Sequence, residues 1–420
     1  MRGLAAYSLA LLLLPSVLFG QTVKRDLPEL EFARFDRNRI EFPGDSSSFE
    51  SLFNKMDAVL FEGAGNLRIM QIGGSHVQAG TLTRQFRNNL LALGEELDGG
   101  RGLVFPFSAA KTNNPSSFRT RYEGDWTVTR NVSRTPDKKL GLTGMAITTS
   151  DSTAFIRIVL KARNATSMDP SFSFDKVDVL GYSPDGGRSP LVVLESGDTL
   201  RGIRDEARSL WSFNLPESRD SVTVAVGKGS GELTLTGLFL DNSKPGISVT
   251  GIGVNGAAIP SYLHCEDFER DLRLVNPDLV IFAIGINDAV GKDFSKQEFI
   301  RRYQSLVTRV RAVNPGCALL FETNNDSFRR VRRRVYSVNR NGLEGEEAFF
   351  TLGADCGAGV WDLFDIMGGL GSMEEWEKAG LAKKDKIHFT EEGYALAGDL
   401  LFNALMAKYV DHLRRRLSWD

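Results

Sequence analysis

The segment LRIMQIGGSHVQAG, residues 67–80, decides the fold of this chain. Its apolar run Ile69–Ile72 predicts a short strand, which ends in two glycines and is followed directly by Ser75. After the serine the apolar spacing becomes that of a helix, with one face formed by Leu82, Phe86, Leu90 and Leu93. A serine between a strand and a helix is well placed as a nucleophile, because the helix N-terminus offers free N–H groups to a developing negative charge. The alternative is a turn in which Ser75 only caps the helix.

The composition describes a protein with a large core and little net charge. The chain has 420 residues, of which 42% are hydrophobic, and this length predicts two domains. Its net charge of -2 is unlike the basic field that nucleic-acid binding requires, so no nucleic-acid partner is expected.

The N-terminus has the form of a secretory signal. Arg2 precedes an apolar run, Leu9 to Phe19, that ends at the small residue Gly20. We therefore expect a signal peptide over residues 1–20, an irregular leader over residues 21–45, and a periplasmic or secreted protein. The run is short for a membrane span, so no span is expected after cleavage; an uncleaved anchor is the alternative.

Two patterns of periodicity divide the rest of the chain. Residues 46–102 and 246–420 alternate between helix-like and strand-like segments, as in a doubly wound α/β domain with a parallel sheet. Residues 103–245 contain short alternating strands separated by turn sequences such as PDGGRSP (184–190). This pattern predicts an antiparallel β-sandwich domain that interrupts the α/β domain at a surface loop.

Three aromatic residues of the β-sandwich segment have two interpretations. Tyr122, Trp126 and Trp211 either form a platform on which sugar rings stack, or belong to the core.

The three cysteines also leave two alternatives. An odd number at wide spacing is typical neither of a zinc site nor of a dense disulfide framework. In an exported chain, either Cys317 and Cys356 form a disulfide, or these two and Cys265 are buried free thiols.

The sequence GIGVNG, residues 251–256, satisfies the dinucleotide-binding pattern G-x-G-x-x-G after a predicted strand. That site also needs an acidic residue at the end of the next strand, where this chain has Gly-Ile-Asn-Asp (285–288). We therefore reject a dinucleotide site and expect Gly253 and Gly256 to let backbone N–H groups approach a substrate oxygen.

Asn287 follows directly after the unbroken apolar strand LVIFAI, residues 279–284. In an open parallel sheet the carboxyl ends of the strands line the ligand crevice, so Asn287 and Ser75 are expected to share it. A neutral amide there can donate to an oxyanion without adding a charge. The alternative is an Asn–Asp turn that caps the following segment.

The sequence DKIH, residues 385–388, supplies a candidate base just before the last predicted helix. Among the four histidines, His76 directly follows the serine and should point away from it, His264 lies in a helix, and His412 is close to the C-terminus. His388 has Asp385 three residues earlier, close enough to accept a hydrogen bond from Nδ1. A serine, a base and an orienting carboxylate together predict nucleophilic acyl transfer.

These segments together resemble the four motif blocks of the SGNH (GDSL-like) hydrolase family, and they occur in the family's order. Ser75 matches the nucleophile, Gly256 the second-block glycine, Asn287 the GxND asparagine, and Asp385 with His388 the closing DxxH. The resemblance implies a three-layer α/β/α (flavodoxin-like) domain, a Ser-His-Asp triad, and an oxyanion hole formed by Ser75, Gly256 and Asn287. No cofactor or metal is implied.

One position departs from the family pattern, which usually reads Gly-Asp-Ser where this chain has Gly73-Gly74-Ser75. That aspartate is not the triad acid, so the mechanism is retained, and the stiffness of the loop is what Gly74 calls into question. The β-sandwich between the first two blocks resembles the architecture of bacterial peptidoglycan O-acetylesterases with a carbohydrate-binding-like insert. This looser similarity implies an acetylated carbohydrate polymer of the cell envelope as the partner.

The basic segment FRRVRRR, residues 328–334, follows a predicted strand end on the crevice side of the sheet. It is either a solvated basic helix or a clamp for an acidic polymer or peptide stem, because arginine forks match carboxylates. The clamp would use Arg329 and Arg330 to bind the substrate.

The sequence therefore predicts an exported serine esterase that removes O-acetyl groups from a carbohydrate, with peptidoglycan as the first choice. One alternative is an acetylesterase that acts on another polysaccharide, such as acetylated xylan. A catalytically silent sugar-binding module and an acyltransferase are further alternatives.

Overall fold

A computed structural model of the chain describes residues 24–161, 172–291, 293–333 and 335–417. The expected signal peptide lies outside the described residues. In the described part of the chain, no helix is both long and apolar enough to cross a bilayer.

The first part of the chain contains the strand that precedes Ser75. In chain order it forms a 3₁₀ turn (Phe35–Arg37), β1 (Ile40–Glu41), α1 (Ser47–Glu62), β2 (Asn66–Gly73), α2 (Ser75–Ala79) and α3 (Thr81–Leu91). β2 is buried along most of its length, as expected for a strand that is covered on both faces.

The middle part forms antiparallel strands. In chain order these are β3 (Gly102–Val104), β4 (Arg119–Glu123), β5 (Thr127–Arg130), β6 (Met145–Thr149), β7 (Phe155–Val159), β8 (Phe174–Tyr182), β9 (Pro190–Val193), β10 (Thr199–Arg201), β11 (Ile203–Asp205), β12 (Leu210–Arg219), β13 (Ser221–Val226) and β14 (Leu233–Asp241). They build a five-stranded sheet in the order β10-β9-β13-β7-β4 and a seven-stranded sheet that contains β11-β12-β8-β14-β6-β5, with β3 against β14. β13 buries every second residue, so its sheet has one core face and one exposed face.

The last part returns to alternating strands and helices. In chain order it forms β15 (Gly246–Gly253), α4 (Ile259–Leu263), α5 (Phe268–Val275), β16 (Leu279–Ala283), α6 (Ile286–Ala289), α7 (Lys296–Arg311), β17 (Ala318–Glu322), β18 (Phe328–Arg332), β19 (Val335–Val338), α8 (Asn341–Cys356), β20 (Gly359–Trp361), α9 (Leu363–Ile366), α10 (Met373–Lys378) and α11 (Glu391–Leu417).

The central sheet has the strand order β1-β20-β17-β16-β2-β15. Its strand pairs are parallel, except that the short edge strand β1 runs antiparallel to β20. The chain leaves β2 for β15 on one side and then crosses to β16 on the other. In such a sheet the ligand crevice lies outside the carboxyl ends of the strands at this reversal, which here are the ends of β2, β15 and β16.

The core interpretation holds for the two tryptophans of the β domain. Trp126 and Trp211 are 4% and 6% exposed, so the alternative of a sugar platform is excluded for them, and Tyr122 is half-buried. Trp126 donates its indole N–H to the Glu123 carbonyl, and the Arg204 guanidinium covers the Trp211 ring. Of the two alternatives for the cysteines, the structure has the free thiols: Cys265, Cys317 and Cys356 are unpaired with one another and buried.

Candidate active site

Ser75 is the first residue of α2, directly beyond the carboxyl end of β2. The turn before it is held by the Tyr262 hydroxyl, which donates to the Gly73 carbonyl over 2.8 Å. Gly253, at the end of the neighbouring strand β15, has no room for a side chain, since a Cβ there would collide with the backbone N of Gln78. Gly253 therefore allows β15 and α2 to approach closely, and its expected role toward a substrate oxygen stays a prediction.

The structure brings together the three side chains that the sequence predicts to act as a triad. Ser75 Oγ lies 2.7 Å from His388 Nε2, and His388 Nδ1 lies 2.9 Å from Asp385 Oδ2. With the proton on Nδ1, that nitrogen donates to Asp385 and leaves Nε2 to accept the Ser75 hydroxyl proton. This arrangement has the geometry that nucleophilic acyl transfer requires.

Asp385 is held as a carboxylate by its own loop. Partial burial opposes its ionisation, but the hydrogen bond from the His388 ring and those from two backbone N–H groups outweigh burial and lower its pKa well below the ordinary 3.8. The backbone donors are Ile387 and His388, each 3.0 Å from Oδ1. The carboxylate therefore accepts on both oxygens, and its second oxygen orients the imidazole.

Gly256 and Asn287 lie at the same strand ends, on loops that contact each other. Gly256 is exposed and has a φ of +81°, a backbone conformation that favours glycine. Asn287 Nδ2 donates to the Ala257 carbonyl over 2.9 Å, and an amide nitrogen carries a second hydrogen for another acceptor. The bond to Ala257 fixes Asn287 beside the loop that contains Gly256.

Asp288 is a residue of this site that sequence reasoning left as a simple turn former. Its Oδ2 accepts the backbone N–H of Ile259 over 3.0 Å, which fastens the loop after Gly256 to the loop after β16. Burial raises the pKa of Asp288 from 3.8 to about 6. Its position directly after Asn287 in the GIND sequence was the signal that could have indicated this second role.

The absence of a side chain at Gly74 leaves room for the side chain of Asn287. A Cβ at position 74 would lie 3.3 Å from both Asn287 Nδ2 and the Ala257 carbonyl oxygen, which is tighter than ordinary contact. The aspartate that the family usually has at this position would therefore have to displace the Asn287–Ala257 pair as it stands here.

His76 lies behind the triad, and the prediction that it points away is wrong. Its ring stacks on the His388 ring, with 5.0 Å between centroids and 27° between planes. Its Nδ1 is 3.0 Å from the Tyr394 hydroxyl. Burial first, and then the neighbouring His388, lower the pKa of His76 from 6.5 to about 3, so that its ring is neutral at physiological pH. Consecutive side chains point to opposite sides in a strand but not in a helix. Because His76 lies in the helix α2, its ring faces the base and does not point away from it.

The basic segment is a β-hairpin and not a helix. β18 pairs with β19, where valine and tyrosine favour a strand, and the buried Phe328 anchors the hairpin. Its position is beside the site, since the Phe328 backbone N–H donates to the Lys386 carbonyl. Arg329 donates to the Ala289 carbonyl over 3.3 Å, whereas Arg330 is exposed.

A parallel α/β sheet with a serine beyond a strand end, hydrogen-bonded in series to an imidazole and a carboxylate of a neighbouring loop, is typical of one class of protein: hydrolases with a serine nucleophile. Comparisons with known proteins narrow this class. Residues 220–396 match the sequence profile of the GDSL-like lipase/acylhydrolase family, and a search of curated proteins gave no match. Ser75 lies outside the matched residues, because the β domain separates it from them.

The structure is similar to the solved structure of a peptidoglycan O-acetylesterase, with a TM-score of 0.72 and 20% sequence identity, over 89% of this chain and 99% of that one. A lipase/acylhydrolase from Enterococcus faecalis (19% identity, TM-score 0.31) matches over 39% of this chain and 77% of its own. An acetyl xylan esterase (18% identity, TM-score 0.31) matches over 39% and 82%.

The family profile matched by residues 220–396 and the fold of the chain together confirm the predicted resemblance to the SGNH (GDSL-like) hydrolases. The predicted fold class with its interrupting β domain and the predicted enzyme class, a carboxylic ester hydrolase, are confirmed as well.

Proposed function

We propose that the protein is an exported serine esterase that removes O-acetyl groups from a cell-envelope carbohydrate, with peptidoglycan as the first-choice substrate. The single observation that carries the proposal is the continuous series from Ser75 Oγ through the His388 ring to Asp385, with distances of 2.7 and 2.9 Å. A serine that only capped a helix would have no need of a base and an orienting carboxylate.

In the proposed reaction, His388 Nε2 takes the proton of Ser75 Oγ as this oxygen attacks the acetyl carbonyl carbon. The negative charge that develops on the carbonyl oxygen is stabilised by the backbone N–H groups of Ser75 and Gly256 and by the side-chain amide of Asn287. His388 then gives its proton to the departing sugar oxygen, which leaves acetyl-Ser75. A water molecule, activated by the same base, repeats the sequence and releases acetate.

Two observations support a carbohydrate substrate. The structural neighbour whose fold extends over both domains of this chain is a peptidoglycan O-acetylesterase. In addition, the β domain lies against the site, because Gln78 in α2 donates to the Asn113 carbonyl over 3.0 Å. A polymer bound beside the triad would therefore meet both domains.

The proposal is tested by acetate release from O-acetylated peptidoglycan and from acetylated xylan, with the wild type compared with Ser75→Ala. Loss of the nucleophile should lower the rate by about 10⁴-fold or more, as in other triad knockouts. Ser133→Ala, at an exposed serine of the β domain, is the matched control and should keep the wild-type rate. The polymer that is deacetylated faster identifies the substrate.

A wild type that releases acetate from neither polymer, nor from a simple aryl acetate, contradicts the esterase proposal. If Ser75→Ala then still binds polymer, the protein is a sugar-binding module. Transfer of the acyl group to an added sugar in excess of hydrolysis would indicate an acyltransferase.

A further inference from the structure

A groove of about 820 Å³ lies between the two domains, next to the triad. Ala79, the last residue of the helix that begins at Ser75, lines the groove. This part of the groove therefore lies about 6 Å from Ser75 along the helix axis. Glu391, three residues after His388, lines the groove as well. The β domain contributes Asn113, Arg119 and Arg121. A polymer that presents an acetyl group to Ser75 can thus continue into this groove.

The side of the groove that the β domain forms is hydrogen-bonded to the segments that carry Ser75 and Gly256. It is therefore already in place before a polymer binds. The Ser116 backbone N–H donates to the Ala79 carbonyl over 2.9 Å. Asn255, next to Gly256, donates from Nδ2 to Asn113 Oδ1 over 2.7 Å, and its own backbone N–H donates to Gln78 Oε1 over 2.7 Å. The groove is therefore preorganised at a fixed position relative to the oxyanion loop.

The groove is basic, although the chain as a whole carries a net charge of -2. Arg119 and Arg121 project from the same face of β4, and both are exposed. Arg121 lies directly opposite Arg157 of β7, and like charges in direct cross-strand register are destabilising. Within the described part of the chain, no carboxylate forms an ion pair with Arg119 or Arg121. Arg84, which also lines the groove, is paired with Glu391 over 3.2 Å.

We propose that this groove binds carboxylate groups of the acetylated polymer, which makes the substrate class a carboxylate-bearing glycan. This inference rests on the proposed function, because it assumes that the chain at Ser75 is a carbohydrate. Arginine forks match carboxylates in a bidentate geometry, and an anionic group between Arg121 and Arg157 would offset their mutual repulsion. The carboxylates belong either to the sugars or to peptides attached to them.

The experiment compares the wild type with Arg119→Gln/Arg121→Gln. The control Arg208→Gln/Arg273→Gln removes two exposed positive charges that do not line the groove. Three substrates are used: O-acetylated peptidoglycan, acetylated glucomannan, which has no carboxylates, and a neutral aryl acetate. The groove variant should need about tenfold more peptidoglycan for half-maximal acetate release, the loss expected from one or two charge-assisted hydrogen bonds. Its rates on glucomannan and aryl acetate, and all rates of the control, should remain at the wild-type level.

Two further arms identify the source of the carboxylates. If they belong to attached peptides, removal of the peptides from peptidoglycan should abolish the difference between the groove variant and the wild type. If they belong to sugars, the difference should persist on the peptide-free peptidoglycan and should also appear on acetylated polygalacturonate.

Salt tests the electrostatic part of the proposal. Raising the salt concentration from about 50 mM to about 500 mM should raise the peptidoglycan concentration that the wild type needs for half-maximal acetate release toward that of the groove variant, because exposed charges are screened.

An unchanged half-saturation on every carboxylate-bearing polymer overturns the proposal, and so does an equal loss on glucomannan and aryl acetate. A failure of the proposed esterase function is distinguished from a failure of the groove proposal by a binding assay. Co-sedimentation of Ser75→Ala with peptidoglycan, with and without the groove substitutions, measures binding whether or not acetate is released. Loss of co-sedimentation on substitution supports the groove even in an inactive protein, and undiminished co-sedimentation refutes it.

Discussion

At the scale of single residues, the neutral ring of His76 behind His388 is the feature of the site with the clearest physical role. In the proposed acyl transfer His388 becomes a cation, and a cation over the face of an aromatic ring gains about 0.5–2 kcal/mol, depending on its exposure. The stack also limits rotation of the imidazole away from Ser75. His76 is therefore a positioning residue that acts through His388.

We predict that His76→Ala lowers kcat on an aryl acetate by about tenfold, which corresponds to 1.4 kcal/mol of lost transition-state stabilisation. His76→Phe combined with Tyr394→Phe keeps an aromatic ring against His388 and removes the Tyr394 hydroxyl together with its imidazole partner, so it should restore most of the rate. Steady-state kinetics measure the effect, and thermal unfolding shows whether each variant folds. An equal loss of activity in both variants would contradict the stacking role.

The proximity of Ser75, His388 and Asp385 was predictable because each of these residues follows a local signal. Ser75 is placed by a strand, two glycines and a helix, and His388 by a carboxylate three residues away. The role of His76 was not predictable from the sequence. It depends on how the helix α2 is oriented toward the His388 loop, which lies more than three hundred residues further along the chain. The same holds for Asp288, whose partner is the backbone of a different loop.

At the scale of elements, the hairpin formed by β18 and β19 contacts both the loop that carries His388 and the short helix α6 that carries Asn287. Its first residue pairs with the Lys386 carbonyl, and Arg329 reaches the Ala289 carbonyl. Arg330 is exposed on the same strand. Neighbouring arginines of the basic segment therefore have different environments, although the sequence presented both as one candidate clamp.

We predict that Arg329→Gln lowers activity on an aryl acetate and on peptidoglycan alike, because it loosens the support of the loop that follows Asn287. A displacement of about 1 Å near a reacting group can cost up to 10²-fold in rate. Arg330→Gln should instead affect only the polymer. Parallel kinetics on both substrates make the comparison, in which each variant serves as the control for the other. A loss on aryl acetate for Arg330→Gln would remove this residue from the proposed clamp.

The hairpin shows where sequence patterns fail for elements. A run of arginines has good helix propensity, and only the following Val-Tyr-Ser-Val favours a strand. The outcome was decided by the burial of Phe328 and by contacts with distant loops, which periodicity does not contain. The long strands and helices of the α/β domain were predictable because their periodicity is sustained over many residues.

At the scale of the whole molecule, a buried carboxylic acid in the central sheet couples folding to pH. Glu322 ends β17, and its Oε2 accepts only from Gln71 Nε2, over 2.9 Å, among the bonds of the described residues. Burial raises the pKa of Glu322 from 4.5 to about 8 in the folded protein. Between these values the folded state holds a proton that the unfolded state has lost, so stability falls as the pH rises.

We predict that the wild type loses stability from pH 6.5 to pH 8 and that Glu322→Gln loses less, by about 2 kcal/mol over this window. His76, with a folded pKa of about 3, also titrates near the start of this window in the unfolded state, but its smaller and opposite effect is the same in both proteins and cancels in the comparison. Glutamine can still accept the hydrogen bond from Gln71, which makes it the matched substitution. Urea unfolding at several pH values measures the effect. A constant difference in unfolding free energy between the two proteins across the window would contradict it.

The insertion of the β domain has a consequence for the order in which the protein is made. The strand that leads to Ser75 pairs with β15 and β16, which are synthesised only after the complete β domain, and the base stands 313 residues after the nucleophile. The sheet therefore closes late, by contacts of large sequence separation, and such contacts form slowly. A nascent chain that stops before residue 388 has a nucleophile without a base. The proposed esterase is therefore without activity during its own translation until residue 388 has been synthesised and its loop has packed beside Ser75.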